Sequence, residues 1–222
     1  MVIRDPHNFY FQFKITLLDA PLPIWRRVMV LSEVPLNMLQ EITQITMGWW
    51  DLADYEFRIG SRRFGNFDEK RPRGVEGDLV RLYDLISEPG DTILYTYNLK
   101  ANWEHSIELE AVRDIDPHTL SKTEPLFAHC HGGKRACPPE RLNGVADYRS
   151  FLNIIEDPTN VNRENTLRSI NVDQFDPDAF DASLVNLRLY TMDADFRRTE
   201  KDLAARKRKN KLVLLKPKTT VN

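Results

Sequence analysis

One stretch near the N-terminus limits the fold more tightly than any other. Phe9, Phe11, Phe13, Ile15 and Leu17 alternate with Tyr10, Gln12, Lys14 and Thr16. A period of two puts one set on each side of an extended chain, so this is a strand with one buried face and one wet face. Strands of parallel sheets are covered on both faces and read as continuous apolar runs. A half-wet strand points instead to an antiparallel sheet.

The next segments keep to that pattern. Pro21 and Pro23 break the strand, and Ile24 to Leu31 reads as a second one, antiparallel to the first. Pro35 opens a helix of about a dozen residues, with a stripe through Leu36, Leu39, Thr43 and Met47, and Gly48 stops it. Tyr55 to Ile59 is a short strand. Gly60 to Asp78 is polar and Gly-rich and reads as a loop, and Val80 to Ile86 as a short helix or turn. Pro89-Gly90-Asp91 is a turn. Thr92 to Leu99 and Trp103 to Val112 form a hairpin. Asp114 to Gly144 reads as mostly irregular. Val145 to Ile155 is helical, with Tyr148, Phe151, Leu152 and Ile155 on one side. Asp176-Pro177 is an N-cap and first-turn pair for a helix reaching about Tyr190, and Asp195 to Asn210 reads as one more helix. Strands come early and helices late, so the expected class is α+β: a mainly antiparallel sheet with helices packed on one side and a basic C-terminal extension. The expected division is a domain over 1–190 and an extension over 191–222.

Composition excludes several classes. The 222 residues are 41% apolar and 29% charged with a net charge of -2, values of a globular chain and not of a polycation. Two cysteines, Cys130 and Cys137, make no disulfide framework and suit a reducing compartment. The first ten residues lack the apolar run of a signal peptide, and no apolar run is long enough to span a bilayer. The expected location is the cytoplasm, away from membranes.

Charge is unevenly spread. From Phe151 to Phe196 nine acids face three bases, a net of −6. From Arg197 to Asn222 ten bases face two acids, a net of +8. Arg197, Arg198, Lys201, Arg206, Lys207, Arg208, Lys209 and Lys211 make this segment a candidate contact for nucleic acid or an acidic protein partner. A solvated terminus, or one docked on the chain's own acids, remains open. Arg58, Arg62, Arg63, Lys70, Arg71, Arg73 and Arg81, with Phe64 and Phe67, form a second basic and aromatic stretch, compatible with phosphate contact or with a solvated loop whose phenylalanines tuck inward.

No Gly-rich phosphate loop, dinucleotide fingerprint, nucleophile elbow or zinc-protease helix occurs, and no cofactor, metal or catalytic set is expected. Four spaced segments do carry a resemblance: Pro23-Ile24-Trp25-Arg26-Arg27, Met47-Gly48-Trp49, Tyr97 through Trp103-Glu104-His105, and Ala136-Cys137-Pro138-Pro139-Glu140. With the helix after Phe175-Asp176-Pro177, they resemble the plasmid pRiA-type ORF-three-like family, also labelled insertion-element passenger TnpR-like proteins. The resemblance runs from about Phe9 to Tyr190. It implies an α+β fold and an association with plasmids and insertion elements, and it supplies no activity; no serine-recombinase signature accompanies it. The chain departs from the family pattern at telling places. Ala53 replaces a histidine common after Gly-Trp. Asn98 and Ala101 replace the acids of the hairpin motif, and Arg141 replaces the aspartate after Pro-Pro-Glu.

A possible pocket is drawn from Trp25, Arg27, Trp49, Tyr97, Trp103, Glu104, His105 and Glu140. Glu104 and His105 look enzyme-like, but neighbours on a strand point to opposite faces. His105 therefore belongs at the margin of the core with a hydrogen-bond partner, and Glu104 on the wet face. Trp25 and Arg27 share one face and Arg26 the other, among apolar neighbours, where it requires a partner such as Glu140 or a hairpin acid. Trp49 and Trp50 are expected to pack at the helix end, an exposed stacking platform being the alternative. Cys130 and Cys137, flanked by His129 and His131, match zinc spacing poorly and read as reduced thiols in a loop. The resulting expectation is a non-enzymatic binding or accessory protein. A metal-assisted hydrolase using His105, Glu104, Glu140 and the cysteine loop, or a protein–protein scaffold, are the alternatives.

Overall fold

In the computed structural model, residues 9–50, 53–65, 80–115 and 126–214 are described, with side chains through residue 199. The alternating strand is where the sequence puts it: β1 spans Phe9–Leu17, and its phenylalanines, Ile15 and Leu17 are buried while the intervening residues are partly exposed. It lies inside a seven-stranded antiparallel sheet with β2 (Trp25–Leu31), β3 (Tyr55–Ile59), β4 (Arg62–Gly65), β5 (Thr92–Tyr97), β6 (Trp103–Asp114) and β7 (Ala128–Lys134), in the order β4-β3-β5-β6-β1-β2-β7. The helices are α1 (Leu36–Met47), α2 (Val145–Ile155), α3 (Arg163–Ser169) and α4 (Ala182–Leu214). The fold is α+β, as the order of elements implies.

Two register shifts adjust the sheet. Gln12 pairs with Ala111 but Phe13 with Leu109, which leaves Glu110 as the extra residue of a bulge. Arg27 pairs with Gly132 but Val28 with Cys130, which does the same to His131. The first bulge places Glu110 where Arg27 and Gln12 reach it, at 2.6 and 2.9 Å.

Four expectations are corrected. Residues 62–65 of the expected loop form edge strand β4, because Phe64 is wholly buried and pulls its neighbours into pairing with β3. The irregular 114–144 region contains β7; Ala128 and Cys130 point inward, but residues so small give a weak alternation signal. Asp176-Pro177 begins only a turn, closed by Asp178 N–H on the Asp176 carboxylate. The helix starts instead behind Asp181, whose carboxylate accepts from the N–H groups of Ser183 and Leu184. Finally, the two expected C-terminal helices are one, unbroken from Ala182 to Leu214.

β7 would be an open sheet edge, and α4 closes it. The Asn186 side chain accepts from Cys130 N–H at 2.7 Å and donates to Cys130 C=O at 2.9 Å, replacing a neighbouring strand at one residue. Asp193 accepts from Phe127 N–H at 3.0 Å. Gly133 has no room for a side chain: a Cβ would lie 2.8 Å from the Phe180 ring and from Trp25 O, and 2.9 Å from Arg26 Cδ.

Candidate functional site

The possible pocket does not assemble as a unit. Trp25 and Arg27 sit on the open face of the sheet, where Arg27 is held by Glu110 in a two-pronged ion pair. That pair draws the Glu110 carboxyl down to about 2. Glu104 is on the same open face, 3.1 Å from Arg58. Trp49, Tyr97, Trp103 and His105 are on the core face: the Trp49 ring stacks on Tyr97 at 5.1 Å and lies 5.7 and 5.4 Å from Trp103 and His105.

His105 is not at the core margin but fully enclosed, and neither ring nitrogen has a hydrogen-bond partner. Burial pushes its pKa down to about 4; the carbonyls of Tyr95 and Trp103 oppose that shift without meeting hydrogen-bond geometry. A neutral, enclosed imidazole with Glu104 on the far side of the strand is no acid–base pair.

Arg26 is the buried arginine, and its partners differ from those expected. Among the described residues no carboxylate pairs with it. Nε donates to Thr46 O at 2.7 Å, Nη1 to Trp25 O and Lys134 O at 2.8 and 2.9 Å, and Nη2 to Arg135 O at 2.9 Å. The Phe180 ring covers the guanidinium at 4.3 Å. Thr46 lies in the last turn of α1, where the helix dipole favours a cation. Four carbonyl dipoles thus stand in for a counter-ion and fasten α1, β2 and β7 together.

The cysteines are not a metal cluster either. Cys130 is on β7, buried on the core face, while His129 and His131 are exposed on the other, their rings 5.0 Å apart. Burial pushes both thiols up, that of Cys137 most, against the nearby charge of Arg26. Among the described residues no three His, Cys, Asp or Glu side chains gather as a metal requires.

In the basic C-terminal segment, Arg197 is already engaged. It pairs with Asp193 at 2.8 Å and covers the Phe127 ring at 4.4 Å. Arg198 pairs with Asp195 at 2.7 Å. The side chains of Lys201, Arg206, Lys207, Arg208, Lys209 and Lys211 lie outside the described residues, although α4 carries their backbone. Of the second basic stretch, Arg58 and Arg63 are spent on Glu56 and Glu104, and Arg62 covers Phe64 at 4.9 Å. Phe67, Lys70, Arg71 and Arg73 lie outside the described residues.

What the chain does build is a cleft of about 580 Å³ at the end of α1. Trp49, Trp50, Tyr97, Pro138, Pro139 and Phe175 supply apolar and aromatic wall, and Asn98, Glu140 and Arg141 the polar part. Trp49 is buried and ties α1 to the proline loop through Nε1–H to Pro138 O at 2.8 Å. Glu140 accepts from Tyr97 Oη–H and, at 2.9 Å, from Trp50 N–H. Trp50 does not pack inward as expected; it is 72% exposed, with the Arg188 guanidinium 5.1 Å from its ring centre. Ala53, Asn98 and Arg141, three of the four positions where a histidine or acid of the family pattern is missing, line this cleft; Ala101 does not. The sequence puts Trp49, Tyr97 and Glu140 in one possible pocket, and they line this cleft together; only the fold shows that they share a wall with Phe175, from a segment nearly eighty residues after Tyr97.

An antiparallel sheet with one helix-covered face, and motif residues gathered around one aromatic cleft, define a class of α+β proteins. The chain belongs to the plasmid pRiA4b ORF-3-like protein family, whose model matches residues 10–184. It is 30% identical over 177 residues to the uncharacterized protein y4hQ of Sinorhizobium fredii (strain NBRC 101917 / NGR234), covering 79% of this chain and 88% of that protein. Its fold is similar to the crystal structure of MM3350 from Methanosarcina mazei Go1, a protein of unknown function, with a TM-score of 0.68 and 25% identity over 80% of this chain and 96% of that one. Among the described residues no helix is long and apolar enough to cross a membrane.

Proposed function

We propose that this chain is a non-enzymatic accessory protein of mobile genetic elements that contacts nucleic acid partly through its basic C-terminal segment. The observation that carries the reading is the partition of charge along one continuous helix. α4 begins in a body segment of net −6 and runs into a segment of net +8 without a break. The eighteen helical residues from Arg197 to Leu214 span about 27 Å. Several phosphates of a nucleic acid backbone lie within such a length. The absence of catalysis is supported by the enclosed, neutral His105, the raised thiols, and the separation of Glu104 from both.

The test spares Arg197 and Arg198, which belong to the helix's own ion pairs. Lys201, Arg206, Lys207, Arg208, Lys209 and Lys211 are replaced by glutamine, and DNA binding is titrated against salt by gel shift. Six phosphate contacts give a slope of log K against log salt of about −5, which the variant loses. Equal, salt-insensitive binding by both proteins refutes the role of the segment. A cellular complex that survives nuclease replaces nucleic acid with an acidic protein as the partner.

A further inference from the structure

We propose that the cleft at the end of α1 is a binding site for a small organic cation, an ammonium or guanidinium group on an apolar frame. Its size is that of a small-molecule site: about 580 Å³ falls within the usual range of roughly 300–1,000 Å³. Its chemistry selects the charge. Aromatic faces attract cations through their quadrupole, and Trp does so best. Trp49, Trp50, Tyr97 and Phe175 all line the cleft, and Glu140 is the one carboxylate among the described residues that line it.

Glu140 is held in place rather than neutralised. Its two bonds come from neutral donors, the Tyr97 hydroxyl and the Trp50 N–H. A carboxylate accepts about four hydrogen bonds, so acceptor capacity remains. The chain's own Arg188 shows the affinity of this rim for cations: its guanidinium lies over Trp50 and donates to Trp49 O at 3.4 Å. Most of Trp50 nevertheless stays open to solvent.

Arg141 lines the cleft as well and is exposed. Its charge disfavours a ligand with two cationic ends and favours a single cation whose remainder is neutral or carries an acceptor. Pro138, Pro139, Ile170 and Val172 give that remainder an apolar surface.

Phenethylammonium and its neutral counterpart phenethyl alcohol are the probes, titrated into the full-length protein by calorimetry and by tryptophan fluorescence. The ammonium binds roughly tenfold tighter than the alcohol, the factor expected of one cation–π and carboxylate pairing. Glu140→Gln keeps one oxygen for Trp50 N–H and turns its amide NH2 to the Tyr97 hydroxyl, which accepts it, but erases that preference. Trp50→Ala, at an exposed position, reduces ammonium affinity while leaving the melting temperature in place. Equal binding of the two probes, no binding of either at millimolar concentration, or a preference that survives Glu140→Gln overturns the proposal.

Discussion

Replacing Arg26 with methionine keeps most of the side-chain stem and deletes the head. Four carbonyl oxygens, on Trp25, Thr46, Lys134 and Arg135, lose a donor at once. The site is 2% exposed, so water does not replace the guanidinium without prying α1 off the sheet. A buried polar group stripped of its partner costs about 1–3 kcal/mol. Taking the lower end for each of four acceptors gives about 4 kcal/mol. Removing a buried charge returns some desolvation energy, and burial indeed holds the Arg26 pKa below its ordinary value. That return is already small, because the dipoles around the head solvate it. A loss of about 3–4 kcal/mol is a large part of a typical stability of roughly 5–15 kcal/mol.

Urea unfolding followed by tryptophan fluorescence measures the loss. With a slope of about 2 kcal/mol per molar, the midpoint falls by about 1.5–2 M. Arg26→Lys, with one ammonium in place of a planar fork, recovers part of it. A midpoint within about 0.3 M of the parent for Arg26→Met refutes the reasoning, since it would mean that the four carbonyls rehydrate freely.

His105 makes stability depend on pH. Its folded pKa of about 4 lies below the ordinary histidine value of 6.5, so the unfolded chain takes up a proton that the folded chain refuses. Above about pH 6.5 the imidazole adds no pH-dependent cost, and stability is lost as pH falls from there toward 4, by up to about 3 kcal/mol. His105→Leu flattens urea midpoints across that window, and parallel curves for the two proteins would contradict the assignment. The Arg27–Glu110 pair acts in a lower window: the carboxyl is held below its usual value of 4.5, so the stability it lends is fully present above that value and is lost as pH falls toward about 2. Arg27→Met lowers the urea midpoint modestly at neutral pH, as befits a part-exposed pair, and the two proteins converge at the acid end. Asn186→Ala strips the β7 edge of its two bonds and lowers stability by about 1–2 kcal/mol, with light scattering on gentle heating as the sign of a freed edge; an unchanged midpoint and no scattering would mean that the edge needs no cover.

The parts of the fold legible in the sequence are those where a single period decides. β1 and α1 each put a continuous apolar set on one face, so the pattern alone fixes them. β7 is hidden because Ala-His-Cys-His-Gly-Gly-Lys holds no branched side chain. Its small residues are required by what packs there: Arg26 and Phe180 close over Gly133, and Asn186 grips Cys130. The start of α4 is misread for a related reason. Asp176-Pro177 and Asp181 carry the same capping chemistry, and only the Ala136 N–H bound to Pro177 O reveals that the first is a loop tied to the sheet. The buried charge at position 26 is legible from strand alternation, but its partners are not. Backbone carbonyls have no sequence signature.

The same asymmetry governs the site. A carboxylate in a sequence reads as chemistry, whereas the aromatic wall that decides what it does is dispersed over α1's end, the β5–β6 hairpin, the proline loop and the segment before α4. Glu140 with a histidine at 53, an aspartate at 98 and an aspartate at 141 would be a polar, acid–base or metal-binding cleft. Glu140 with Ala53, Asn98 and Arg141 is, among the described residues, one anion facing rings and one cation. Restoring the three family residues together should therefore change the ligand class and not merely its affinity. The Ala53→His, Asn98→Asp, Arg141→Asp protein would take up a divalent metal, read by calorimetry with manganese or zinc chloride, where the parent takes none. If the triple variant keeps its melting temperature yet binds no metal, the three positions are not what separates this cleft from a polar one.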